Sequence, residues 1–230
     1  MSNFIQNSAF FGVMLSLFAY GIGMEMKKRW KHAVLNPLLI AICISIFVLV
    51  IFNVDYDTYY EGAKYISYLL TPATVCLAIP LYEQICILKN NWKAIMTGIL
   101  SGVLVSAFSI LVMCLMFHLN HKEYVTLLPK SITTAIGMDL SAELNGYVSI
   151  TVAIIVITGV LGNVIAEGVF KLFKLTEPVA NGVALGTASH AIGTAKAMEI
   201  GEVEGAISSL SIVVSGIITV VFASVFAQFL

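Results

Sequence analysis

Two stretches hold most of the residues that could do chemistry. Ala184 to Gly201 reads ALGTASHAIGTAKAMEIG, and Val125 to Gly146 reads VTLLPKSITTAIGMDLSAELNG. Both lie between apolar runs, yet both carry hydroxyls, glycines and charges. A lipid-facing helix has no use for such residues, because intramembrane charges are costly and face protein or water instead. Irregular backbone at membrane depth is likewise tolerated only there. Ser131, Thr133 and Thr134 with Gly137 form one polar set; Thr187 and Ser189 with Gly186 and Gly193 form a second; Thr71 and Thr74 add a smaller third. Beside the N-terminal end of a broken helix, with its unpaired N–H groups and partial positive charge, such sets suit a small carboxylate. For any one hydroxyl, helix packing is the plainer reading, since small and hydroxylated residues are the usual contacts between membrane helices. The sets together favour a site.

His190 sits between Ser189 and Ala191, with two readings weighed evenly: a substrate ligand or proton shuttle near neutral pH, or a hydrogen-bonded structural histidine. Lys130 and Lys196 are the lysines of these interrupted segments. Each would neutralise an anionic solute or snorkel to an interface; Lys196, lying mid-segment, ranks above Lys130 at its segment's start. Glu83, Asp139, Glu143, Glu167 and Glu199 are acids within or at the edges of membrane segments, which makes each a functional candidate. Asn163 and Glu167 are four apart, so they share a helix face, and that face is expected to look inward. With Glu83 and Asp139 they are the candidates for coupling to H⁺ or Na⁺, although Glu83 also lies near Lys89, where an interfacial ion pair is the plainer reading.

These residues need helices to hold them. The 230-residue chain is 59% hydrophobic and 11% charged, with mean hydropathy +0.97 and net charge −1. A soluble domain is about 45–50% apolar and about 25% charged, so this is an all-α polytopic membrane protein. A spanning helix needs about 20 apolar residues. Five clear spans are expected, at 4–24, 35–53, 94–117, 147–170 and 206–230, with three interrupted or re-entrant segments among them. The cluster Lys27, Lys28, Arg29, Lys31 follows the first span; short basic loops stay cytoplasmic, which puts the N-terminus outside. The acidic, aromatic stretch DYDTYYEG (55–62) and HLNHKEY (118–124) read as outer loops, and Lys89 and Lys93 as marks of a cytoplasmic loop. Segment 125–146 fits the charges best if it dips in and returns outward without crossing. The chain reads as a single integral membrane domain, 1–230, with N-terminal spans over 4–64 and a repeat-containing transport core over 65–146 and 147–230.

The interrupted segments resemble one another. TPATVCLAIPL (71–81) aligns without a gap on LPKSITTAIGM (128–138), 57 residues on, and Ala191-Ile192-Gly193 repeats the core another 56 residues further. Gly/Pro-interrupted segments in corresponding positions are a pointer to a transporter's binding site. Enzyme chemistry has no support: there is no phosphate-binding glycine loop, HExxH, nucleophile elbow or metal-spaced Cys/His set. Cys43, Cys76, Cys86 and Cys114 fall inside apolar runs and read as small core residues. No metal, cofactor or nucleic-acid partner is expected.

The sequence resembles the LrgB/CidB family of bacterial membrane proteins, through PATVCLAIPLYEQ (72–84), LLPKSITTAIGMDLS (127–141) and GVALGTASHAIGTAKAMEIGEVEGAISSL (182–210). The resemblance implies a multi-pass protein of the bacterial inner membrane and two functional descriptions. One is control of murein hydrolase activity and cell lysis, with a small holin-like partner of the LrgA/CidA type. The other is carriage of small monocarboxylates, since the plant relative exchanges glycolate and glycerate and bacterial relatives are linked to pyruvate uptake. Broken segments with hydroxyls and a few basic groups favour the second, as a homodimeric carrier of C2–C3 organic anions. The alternatives are a holin/antiholin-like regulator that oligomerises without transport of its own, and a channel whose polar segments line an open pore.

Overall fold

The computed structural model describes residues 10–30, 35–76 and 78–230, apart from the side chains of Leu70, Thr74, Pro80 and Leu81. The first span's residues 4–9, Lys31 of the basic cluster and the Thr74 side chain therefore lie outside the described residues. All described secondary structure is helical, and the chain divides into two compact units, Met1–Cys76 and Leu77–Leu230.

In the first unit, α1 (Phe11–Trp30) ends on Lys27, Lys28 and Arg29, where cations complement the helix's negative end. Asn36 starts α2 (Pro37–Ile51): its Oδ1 accepts from the Leu38 and Leu39 N–H groups, and Pro37 supplies a first residue that needs no N–H partner. The stretch expected as an outer loop at 55–62 is helical instead, in α3 (Tyr56–Ser67). Its tyrosines recur at helical spacing, with Tyr56 stacked on Tyr60 and the Tyr59 hydroxyl bonded to Ser16 at 2.7 Å. Aromatic packing has outweighed the acidic, loop-like composition. A short helix, α4 (Leu70–Cys76), closes the unit.

The second unit opens with α5 (Ala78–Glu83) and α6 (Ile85–Met116). Lys89 and Lys93, expected in a loop, lie in the first turns of α6, which has 32 residues. At 1.5 Å per residue that helix is about 48 Å long, more than the roughly 30 Å hydrocarbon core, so cations fit on its first turns. It is followed by α7 (His121–Leu127), α8 (Thr134–Glu143), α9 (Val148–Leu172), α10 (Pro178–Ile200), α11 (Glu202–Phe226) and a 3-10 turn, Ala227–Phe229. HLNHKEY is likewise partly helical: Asn120 and Glu123 close a capping box that starts α7. Three described helices are long and apolar enough to cross a membrane, namely α6, α9 and α11 with its terminal turn; α2 is apolar but shorter.

Both polar stretches fold as hairpins that enter the second unit from opposite ends. The first leaves the end of α7, turns through 128–133 and returns along α8, closing where Thr126 meets Gly146 and Tyr147. The Thr126 hydroxyl on one arm accepts from the Tyr147 N–H just past the other. The buried Thr151 hydroxyl lies 2.9 Å from the Thr126 carbonyl and 2.7 Å from Ser141 Oγ, tying both arms to the start of α9. The tip is the turn 128–133. α10 makes the second hairpin. Its backbone breaks at His190, with φ 41° and ψ −132°, a left-handed conformation that a residue with a Cβ rarely takes. The arm after the break, 191–200, doubles back on the arm before it. A Cβ at Gly193 would strike the Leu185 carbonyl and lie 2.6 Å from Ser189 Cβ, contacts that a straight helix cannot make across four to eight residues. α11 then runs beside the first arm, with Gly182 against the Glu204 carbonyl and Gly186 against that of Ser208. Small residues permit this approach.

Candidate functional site

The two hairpin tips converge on a cavity of about 780 Å³. It follows α6 from Asn91 to Ser109 and the first arm of α10 from Glu177 to Ala188, and ends at Lys130 and Ser131 of the first tip. Gly98 and Gly102 let α6 lie close to α10: a Cβ there would sit 3.0 Å from Val183 Cγ1 and 2.7 Å from Thr187 Cγ2. A second cavity of only about 20 Å³, room for about one water, shares Ser106, Ser131 and Thr187 with the first and adds Thr219, Phe222 and Ala223 from α11.

Four polar groups meet at this end. The Lys130 ammonium donates to Ser131 Oγ at 2.9 Å, and Ser131 Oγ lies 3.2 Å from Ser106 Oγ. Thr187 is 7% exposed and its Oγ1 is buried without a hydrogen-bond partner. Buried polar atoms in folded proteins are nearly always satisfied, so this unpaired hydroxyl, on a residue that lines the cavity, is a candidate partner for a ligand. Among the described residues no carboxylate lies within ion-pair distance of Lys130. One cation and three hydroxyls set among mostly apolar walls have the chemistry to take a small anion.

The sequence-selected residues divide between this site and its frame. Ser131 and Thr187 line the cavity. Ser189 and His190 instead fix the second hairpin to α9: Ser189 packs against Gly162, and His190 Nε2 lies 3.0 Å from the Ile155 carbonyl. A carbonyl only accepts, so Nε2 carries the proton and the imidazole is committed to a structural bond. Gly193 closes the hairpin's arms, while Gly137 packs on Ile155 from the first hairpin. Ile155 is thus gripped from both sides. Thr133 and Thr134 sit at the N-terminal end of α8. Asn163 Nδ2 donates to the Ile192 carbonyl at 3.2 Å, and Glu167 pairs with Lys196 at 2.6 Å, so their shared face looks onto the returning arm. Lys196 also reaches Glu199 at 3.5 Å. The structure therefore reverses the expected ranking: Lys196 is matched by two carboxylates, whereas Lys130 faces the cavity. Glu83, Asp139 and Glu143 are exposed. Ser106 escaped the sequence reading because it lies in an otherwise clean span, and Thr194, 2.7 Å from Ser208 Oγ, because its role is to join α10 to α11. Among the described residues no group of three or more His, Cys, Asp or Glu is placed to hold a metal ion.

The LrgB-like family model matches residues 16–229. The antiholin-like protein LrgB of Bacillus cereus (strain B4264) is 36% identical over 222 residues, 96% of each chain. The antiholin-like protein LrgB of Bacillus anthracis (strain A0248) is similar to the same extent. No solved structure matches.

Proposed function

This chain belongs to the LrgB-like family, and from that premise we propose that it is a secondary carrier of small monocarboxylates in the bacterial inner membrane. The observation that carries the reading is the meeting of two opposed hairpin tips at a cavity holding Lys130, Ser106, Ser131 and the unpaired Thr187 hydroxyl. The carboxylate binds Lys130 and Ser131, and Thr187 takes a second oxygen. Hairpins that enter from opposite ends give each side of the membrane its own gate, as alternating access requires. In this conformation the cavity extends toward the end carrying Lys89, Lys93, Lys171 and Lys174, the cytoplasmic end by the positive-inside rule. The opposite end is filled by Ile110, Tyr124, Leu128, Ile132 and Ala223.

A further observation supports a transporter architecture. In the second and third aligned segments helices restart at matching places: α8 at Thr134 beside Ala135, and the returning arm of α10 at Ala191. Reading α1 and α2 as spans beside the three long helices of the second unit, we take the architecture to be five spans and three interrupted segments.

Ligand-dependent thermal stability tests the site. Glycolate, lactate or pyruvate at one hundred times its Kd should stabilise the purified protein by about 2.7 kcal/mol. That stabilisation should vanish in Lys130→Met; equal stabilisation of the variant would remove the site. The relatives' antiholin-like names favour a second reading, control of murein hydrolases and lysis through a small partner. Lysis control that survives intact in a folded, transport-dead Lys130→Met would make that role independent of transport.

A further inference from the structure

We propose that Lys130 is the proton carrier of the transport cycle: an uncharged amine while the site is empty and an ammonium while a carboxylate is bound, so that one proton accompanies each anion. The inference rests on the carrier reading and adds its coupling.

The argument begins with an asymmetry between the two lysines of the interrupted segments. Lys196 has carboxylates at 2.6 and 3.5 Å and stays compensated whether or not a solute is present. Lys130 is half-buried, and its hydrogen-bond partner is a neutral hydroxyl. Around it, α6 contributes Ser106 and Ser109, and the second hairpin contributes Thr187. The adjoining small cavity brings Thr219 and Phe222 from α11, neither of which titrates. Among the described residues His190 is the titratable group near Lys130, and its ring is bonded to the Ile155 carbonyl. The one acid lining the same cavity among the described residues is Glu177, at the far end from Ser109 and Lys130.

In the conformation shown Lys130 faces the cavity; when the empty site closes, its ammonium would be withdrawn from water without a counter-ion, a large desolvation cost that groups so placed avoid by shedding their charge. A carboxylate arriving beside Lys130 removes that cost by supplying the missing partner. The loaded site, with one ammonium and one carboxylate, is neutral; the empty site, with a free amine, is also neutral. Both forms cross the low-dielectric phase of the cycle without net charge. The balance is simple: a proton from the aqueous phase binds the Nζ lone pair as the anion enters, and both leave on the other side. None of the candidate acids for coupling is required.

Pyruvate accumulation in proteoliposomes, with protein-free vesicles as blank, tests this. With membrane potential clamped at zero, one pH unit (alkaline inside) should let the wild type accumulate pyruvate up to about tenfold. A 100 mV potential, positive inside, at equal pH should give no accumulation, whereas an anion carried alone would reach roughly fiftyfold. Lys130→Arg keeps its charge throughout, so it should lose the pH response and gain the potential response. A wild type driven by potential, or a Lys130→Arg protein still driven by the pH gradient, overturns the proposal. If Lys130→Arg is inactive, labelling of wild-type Lys130 by an amine-reactive reagent decides. Its pH midpoint should rise when pyruvate is added, while those of Lys171 and Lys174 stay put; an unmoved midpoint overturns it. The gradient arms use glycolate or glycerate in place of pyruvate if only those exchange; absence of exchange of all three by the wild type would overturn the carrier reading itself.

Discussion

Gly193→Ala puts the hairpin geometry of α10 at risk with a single methyl group. Its Cβ would lie 2.6 Å from Ser189 Cβ, a shortfall of about 0.8 Å against the 3.4 Å at which ordinary contact begins. The Leu185 carbonyl is nearer still and is backbone, so no rotamer change relieves it. The arms must part, and Ser189 is already pressed against Gly162 of α9. Overpacking of this kind costs about 1–3 kcal/mol. For a domain this size that is about 2–4 °C of Tm per kcal/mol, readable by thermal unfolding in detergent. Gly168→Ala is the internal control, because its Cβ would meet nothing within 4 Å; it should be neutral or stabilise by up to about 1 kcal/mol through helix propensity. Equal Tm values for the two variants would refute the doubled-back hairpin.

Three more expectations follow from the site and its frame. His190→Gly should be more stable than His190→Ala by about 1 kcal/mol or more, since glycine accepts φ 41° without strain; the reverse order in thermal unfolding would contradict the backbone break. Thr187→Val removes a buried, unsatisfied hydroxyl, so the empty protein should gain up to about 1–3 kcal/mol of stability while carboxylate affinity falls; a variant neutral in both would show that the hydroxyl faces no ligand. Glu167→Gln should cost about 1 kcal/mol or less, because Glu167 is half-exposed and Glu199 still faces Lys196. A double variant with Lys196→Met should lose less than the two single losses together.

Sequence pattern reached the membrane class and the polar stretches because both depend on local composition. Dense hydroxyls and glycines inside apolar runs have few physical explanations; Ser131 and Thr187, from two such runs, line one cavity. What pattern missed depends on partners distant in sequence. Locally Lys196 differs from Lys130 in having Glu199 three residues on, but only the fold places Glu167, 29 residues earlier, against it. Ser106 lies in a span whose other residues are mostly apolar, so its meeting with Ser131 is invisible until the first hairpin docks. His190 was legible as unusual but not as a turn, since glycine, not histidine, is the ordinary choice at positive φ. The stretch at 55–62 erred for the opposite reason: its acids read as loop, while the tyrosine spacing that makes it helical took effect only in packing.

The central claim is that this chain, alone, binds and moves small carboxylates at the hairpin tips. Counterflow of labelled glycolate, glycerate and pyruvate into proteoliposomes holding only this protein tests it most directly. Saturable exchange of at least one of them, abolished in Lys130→Met and retained in Lys196→Met, is the predicted result. Exchange that is absent, or that is indifferent to Lys130, would contradict it.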